Sequence, residues 1–196
     1  EINSLPEPFF TTLFTISSHS PFDFPGEHKL SFNSREDQYV NSVAYTDKYL
    51  GSFFNSIKNE KWYEHTLFII VADHSHSSPL KRRVAQKERY KIPMLWLGDV
   101  LKDSYIGKKH SKLGSHIDIA PTILSQLGVD SKNYKFGANL FNPLLKGVVP
   151  YAFYRGYGLI KDSSNYAYSE NYNKVFEIHA EDSVEIQRII KDTELY

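Results

Sequence analysis

TLFIIVADHS, residues 66–75, is the stretch on which the fold turns. Its first part, TLFIIV, is a short continuous apolar run, and such a run bounded by polar residues predicts a buried strand covered on both faces. The run stops at Ala72, Asp73 and His74, which sets a carboxylate and an imidazole at the C-terminal edge of that strand. Ligands of open α/β sheets bind at that edge, and both groups are good donors to zinc or manganese. Neighbours on a regular strand point to opposite faces, so both reach one ion only where the strand breaks into a loop. A capping Asp beside a surface His fits the same pattern.

Upstream, FFTTLFTI at 9–16 is aromatic and β-branched and predicts a strand that runs into a loop carrying His19. The Pro-, Gly- and Ser-rich connection to about residue 36 reads as a surface loop. After it, Tyr39, Val43, Tyr49, Leu50, Phe53, Phe54 and Ile57 recur at mostly helical spacing, which predicts an amphipathic helix of about five turns. Gly51 within it suggests close approach by a neighbour, at some cost in helix propensity.

Downstream, residues 75–90 are polar and basic and read as an exposed loop with one helical turn. IPMLWL at 92–97 is a third strand, and Pro93 assigns it an edge or an irregular entry. DIAPTILSQL at 118–127 has helical spacing, with Asp118 as cap, Pro121 in the first turn and Gly128 as the stop. From Val148 the short runs YAFYRGYGLI, YAYSENY and VFEIHA predict an antiparallel meander, and residues 183–196 a terminal helix. The whole reads as an α/β body with an antiparallel tail.

Composition narrows the function. The chain has 196 residues, 23 basic and 23 acidic, a net charge of zero, 41% hydrophobic residues and no cysteine. That length fits a medium globular domain. The balanced charge supplies no general attraction to nucleic acid or to an anionic membrane. Without cysteine there is no disulfide framework, thiolate nucleophile or Cys-ligated zinc within these residues. No apolar stretch approaches the roughly 20 residues that cross a bilayer, and the start lacks a secretory signal. The absence of G-x-S-x-G, of G-x-G-x-x-G after a strand and of a P-loop leaves serine hydrolase, dinucleotide and Walker-type sites unsupported.

His76 lies two residues beyond His74, His19 follows the first strand, and His116 precedes a helix start in SKLGSHID. These histidines converge above one sheet edge if their strands are neighbours. Each is otherwise a hydrogen-bonded loop residue. A neutral imidazole there ligates a metal, and a protonated one binds an oxyanion or protonates a leaving group. Aromatic residues of the tail, including Tyr151, Tyr154 and Tyr157 with Arg155, fit either a polar ligand groove or cross-strand packing.

In order along the chain, FFTTLFTISSHSPF (9–22), YTDKYLGSFFNSIK (45–58), TLFIIVADHS (66–75), IPMLWLG (92–98), SHIDIAPTILSQLGV (115–129) and FGANLF (136–141) resemble the C-terminal half of a known catalytic domain. It is that of the sulfatase-like branch of the alkaline phosphatase superfamily. The likeness is narrowest to lipoteichoic acid synthases and bacterial phosphoglycerol transferases. It implies a partial alkaline phosphatase-like three-layer α/β sandwich over residues 1–147, with antiparallel strands and a terminal helix over 148–196 packed on it. The implied activity is metal-dependent transfer or hydrolysis of a phosphate or sulfate ester through a covalent intermediate. The implied metal is manganese or calcium, with zinc also suited to the donors. By the same likeness Asp73 and His74 are metal ligands, His19 and His116 bind substrate, and Asp47 supports the site; His76, by its place beside the pair, is a further supporting candidate.

The family nucleophile, a threonine or a modified Cys or Ser, lies upstream of the strand that His19 follows, and neither Thr11 nor Thr12 matches its place. The resemblance therefore implies a C-terminal fragment, inactive alone, whose partner is the N-terminal half of the same protein. The parent would be membrane-anchored in the bacterial cell envelope with this domain outside, acting on a lipid- or glycan-linked ester. An exposed sheet edge would then favour a partner or an oligomer. The alternative from another class is a noncatalytic domain that binds a carbohydrate or lipid headgroup.

Overall fold

The computed structural model describes residues 2–31, 33–77 and 80–193. They form two compact units, one reaching to Leu67 and including Gly98–Val100, the other comprising Phe68–Leu97 and the residues from Leu101 onward.

The first unit is organised by helix α1, Arg35–Ile57. Ser34 and Asp37 close a reciprocal capping box, and Glu36 and Asp37 place negative charge in the first turn, where the helix dipole favours it. Asn41 is buried, and its Oδ1 accepts from the backbone N–H groups of Lys29 (2.8 Å) and Leu30 (2.9 Å), so the preceding loop is tied to the helix. Gly51 has open space around it, so the close approach expected there does not occur. The expected strand at 9–16 is also absent. These residues join no ladder, and Phe10, Leu13, Phe14 and Ile16 are each at least 75% exposed. A β-branched run becomes a strand only when a neighbour takes its backbone hydrogen bonds, and no described residue does so.

In the second unit, β1 (Phe68–Val71) pairs antiparallel with β2 (Met94–Leu97), in register from Phe68↔Leu97 to Val71↔Met94. Pro93 stands just before β2, as its missing donor requires. The residues of β1 are half-buried rather than buried on both faces, because among the described residues only β2 pairs with it. Helix α2, Ile119–Gln126, carries Pro121 in its first turn. Gly128 adopts φ +68, a left-handed conformation that lets the Val129 N–H reach Leu124 O at 2.9 Å and ends the helix.

Four antiparallel strands follow in sequential order: β3 (Val148–Phe153), β4 (Gly156–Lys161), β5 (Ser164–Ser169) and β6 (Lys174–His179). This is the expected meander. Helix α3, Ser183–Thr193, covers one face through Ile189 on Leu159 and Tyr166. The last three residues of the expected terminal helix lie outside the described residues. On the other face Ala85 packs against Tyr151 and Ala167, and the Tyr151 hydroxyl donates to Ala85 O at 2.9 Å. Fully burying a Leu or Ile contributes about 1.5–3 kcal/mol, which makes Leu159 and Ile189 the main anchors of this layer.

The basic loop of residues 75–90, of which Ser78 and Pro79 lie outside the described residues, is more ordered than its charge suggests. Arg82 Nη1 donates to Glu88 O and Arg89 Nη1 to Arg82 O, both at 2.9 Å, so these two guanidinium groups brace the loop. A 3-10 turn at Lys87–Tyr90 supplies the expected helical turn.

Candidate active site

Strand β1 stops pairing at Val71, and the chain turns at Asp73 and His74. Asp73 Oδ1 accepts from the His74 backbone N–H at 2.9 Å, which fixes the carboxylate and leaves Oδ2 outward. His74 Nδ1 lies 2.9 Å from Ser75 O. A carbonyl only accepts, so Nδ1 carries a proton, and in the neutral imidazole Nε2 then bears the lone pair. That nitrogen stands 3.6 Å from Asp73 Oδ2, and the two side chains are 73% and 70% exposed. The break in the strand thus brings both groups to one side.

His116 joins them from the other end of the unit. Its Nε2 is 2.7 Å from Ala72 O, so Nε2 is the protonated nitrogen and Nδ1 is the bare one. His116 opens a 3-10 turn, His116–Asp118, in which Ser115 and Asp118 form a reciprocal capping box. Asp118 was expected as the side-chain cap of α2. It is instead the third residue of the Ser115 box and makes no cap bond to α2. Its buried carboxylate accepts from Ser115 N (2.8 Å) through Oδ2 and from Ala138 N (2.7 Å) through Oδ1. Thr122, also buried, donates to Asp118 O at 2.6 Å and accepts from Leu140 N at 2.9 Å. FGANLF is therefore the strap that holds His116's turn in place. A Cβ on Gly137 would meet Ile117 O at 2.1 Å, so only glycine lets the strap pass.

Sequence reasoning missed Asp118 and Thr122 as positioning residues. The signal was present, because Ser115-x-x-Asp118 is the capping-box pattern.

His76 is half-buried and has a partner of its own. His19 and Asp47 belong to the first unit. His19 sits in a turn closed by His19 N on Ile16 O and Phe22 N on His19 O, both at 2.8 Å. Phe22 is buried edge-on against Tyr39, and Arg35 donates to Ser20 Oγ at 2.8 Å, so α1 positions this turn. His19 Nδ1 contacts Ser20 O at 2.7 Å, which leaves Nε2 free of that bond, as in His74. Asp47 is exposed on α1.

The pair of Asp73 and His74 has the donor chemistry of a site for a divalent metal. Two ligands about 2.1 Å from one ion would span 3.6 Å at an angle near 120°, which tetrahedral and distorted geometries accommodate. Among the described residues no group of three or more His, Asp or Glu is gathered to hold an ion, so the pair supplies only part of a coordination shell.

A family model described as Sulfatase matches residues 1–129, and the chain belongs to that family. Its fold is that of the alkaline phosphatase superfamily. A protein of that superfamily from Vibrio parahaemolyticus superposes with a TM-score of 0.73 at 24% identity, over 99% of this chain and 49% of that one. The lipoteichoic acid synthase LtaP from Listeria monocytogenes gives 0.69 at 21% identity, over 92% of this chain and 50% of that one. In sequence the chain is 29% identical over 172 residues to lipoteichoic acid synthase 2 of Bacillus subtilis, covering 76% of this chain and 25% of that protein. It is 27% identical over 162 residues to lipoteichoic acid synthase of Staphylococcus aureus, covering 74% and 24%. The chain therefore spans about a quarter of the length of these curated relatives. No helix among the described residues is long and apolar enough to cross a membrane.

Proposed function

We propose that this chain is the C-terminal portion of a metal-dependent phosphoryl- or sulfuryl-ester transferase or hydrolase, with phosphoglycerol transfer as its specific reaction. The observation that carries the reading is the Asp73–His74 pair, with Oδ2 and the bare Nε2 exposed 3.6 Å apart at the end of β1 in a chain of the sulfatase family. Asp73 and His74 would hold the ion. Manganese suits a mixed oxygen and nitrogen donor set best, zinc also fits, and calcium is less suited to an imidazole. The metal, when bound, offsets charge on the nonbridging oxygens of a tetrahedral ester and activates a coordinated nucleophile.

His116, bonded to Ala72 O, steadies the turn that presents both ligands and keeps Nδ1 as an acceptor toward substrate. His19, held in its turn by α1, would bind the oxyanion when protonated. Asp47 and His76 are assigned supporting roles. The nucleophile is assigned to a segment outside residues 1–196, since Thr11 and Thr12 lie in an exposed stretch and not at a helix start. Residues 1–147 then complete a catalytic domain with that segment, and 148–196 form its accessory meander. A lipid- or glycan-linked ester at the outer face of a bacterial membrane is the substrate that the named relatives favour.

The test is calorimetric titration of the protein at its full natural length with Mn2+, together with turnover of a phosphodiester substrate, for the native protein, D73N and H74A. Loss of both metal binding and turnover in each variant is expected. Undiminished metal binding in both variants would remove the assignment. Headgroup binding without turnover in the native protein would select the noncatalytic reading.

A further inference from the structure

A polar cavity of about 130 Å3 lies where β4, β5 and α3 meet. It belongs to residues beyond 129, outside the stretch that the sulfatase model matches. Lys146, Lys161 and Arg188 line it together with Asp162, Ser164 and Glu185. Three cations and two carboxylates line it, and a third carboxylate, Asp192, pairs with Lys161 from outside the lining.

The carboxylates are already engaged. Asp162 takes Lys146 at 3.0 Å, and Glu185 accepts from the buried Ser164 hydroxyl and, at 2.8 Å, from Glu181 N. The Ser164 bond and then that backbone bond hold the Glu185 carboxyl below its ordinary range, so it stays charged and occupied. Lys161 is paired with Asp192, which does not line the cavity. Each ammonium has three donors and spends one on its carboxylate. Arg188 has no ion pair or hydrogen bond among the described residues. Its planar five-donor fork is the side chain best matched to a tetrahedral oxyanion. At roughly 30 Å3 per water, the cavity is the size of about four waters, which gives room for one phosphate or sulfate group.

We propose that this cavity binds a single phosphate- or sulfate-type oxyanion, with Arg188 as its anchor and Lys146 and Lys161 completing the cradle. The site is independent of the Asp73–His74 assignment and would seat a second anionic group of an extended substrate or product, or the free ion.

The test is an amide NMR titration of the full chain with sodium phosphate at constant ionic strength, sodium chloride serving as control and dimethyl phosphate as the diester probe. Saturable shifts confined to β4, β5 and α3 are expected, weakened about tenfold in R188Q, the scale of one lost charged hydrogen bond. They should persist in the D73N/H74A double variant, which separates this site from the metal site. Binding of dimethyl phosphate points to a diester within a polymer, and binding of phosphate alone to a monoester or the free ion. Absence of saturable shifts, or equal affinity in folded R188Q, would falsify the proposal. If R188Q does not fold, K146Q at the exposed rim serves instead and should weaken phosphate binding; equal affinity there overturns the site.

Discussion

His74 turns its bare Nε2 toward Asp73 Oδ2 at 3.6 Å while its Nδ1–H is spent on Ser75 O. With the imidazole neutral this exposed contact is no ion pair and adds little to stability. Its consequence is chemical, because the backbone bond selects the tautomer that leaves the ligating nitrogen free.

Replacing either ligand should therefore abolish metal binding with little effect on folding. D73N and H74A are each expected to weaken Mn2+ at least about 100-fold, beyond the 10–100-fold of outer-shell changes. Calorimetry measures this, and circular dichroism should show unchanged helix content.

His116 acts through the Ala72 carbonyl, which makes it a positioning residue. H116A should weaken Mn2+ binding about tenfold. H116Q, whose amide N–H can donate to the same carbonyl, should recover part of that loss. A purely structural role would show no such rescue in the metal titration.

Asp118 bears the cost of the turn beneath His116. D118A leaves the part-buried N–H groups of Ser115 and Ala138 without their acceptor and should cost about 2–4 kcal/mol in urea denaturation. T122V removes one hydroxyl that serves Asp118 O and Leu140 N and should cost about 1–2 kcal/mol.

Gly137 passes against Ile117 O with no room for a methyl group. G137A should destabilise the second unit by about 1–3 kcal/mol, as overpacking does, and lower Mn2+ affinity together with it.

Tyr151 sets an alkaline limit. Burial, with Glu177, Tyr90 and Glu88 nearby, pushes its phenol well above the ordinary value of 10.0. The folded chain thus keeps a proton that the unfolded chain releases. Its contribution is full below pH 10.0 and is lost as pH rises from there toward the folded value. Stability measured between pH 9 and 11 should fall less steeply in Y151F than in the native protein; equal slopes would remove Tyr151 as the cause. Y151F should also cost about 1 kcal/mol near neutrality through the lost bond to Ala85 O.

The local elements were legible in the sequence wherever a segment carries its own partners. Helix α1 supplies its cap from Ser34 and Asp37, α2 its stop from Gly128, and the meander pairs strands that are adjacent in the chain. The Asp73–His74 pair was equally legible, because an apolar run that ends in two donors declares both the strand and its polar edge. The tertiary structure alone decided what depends on distant residues. It left 9–16 unpaired, since a strand needs a neighbour that the segment does not contain. It moved Asp118 from helix cap to the centre of a network reaching Ala138, and carried His116 to a carbonyl 44 residues away. It also set the tautomer of His74 and gathered Lys146, Lys161 and Arg188 around one cavity. Periodicity encodes which face of a segment is buried, whereas the partner of each polar atom is settled only when separate segments meet and every buried donor must find an acceptor.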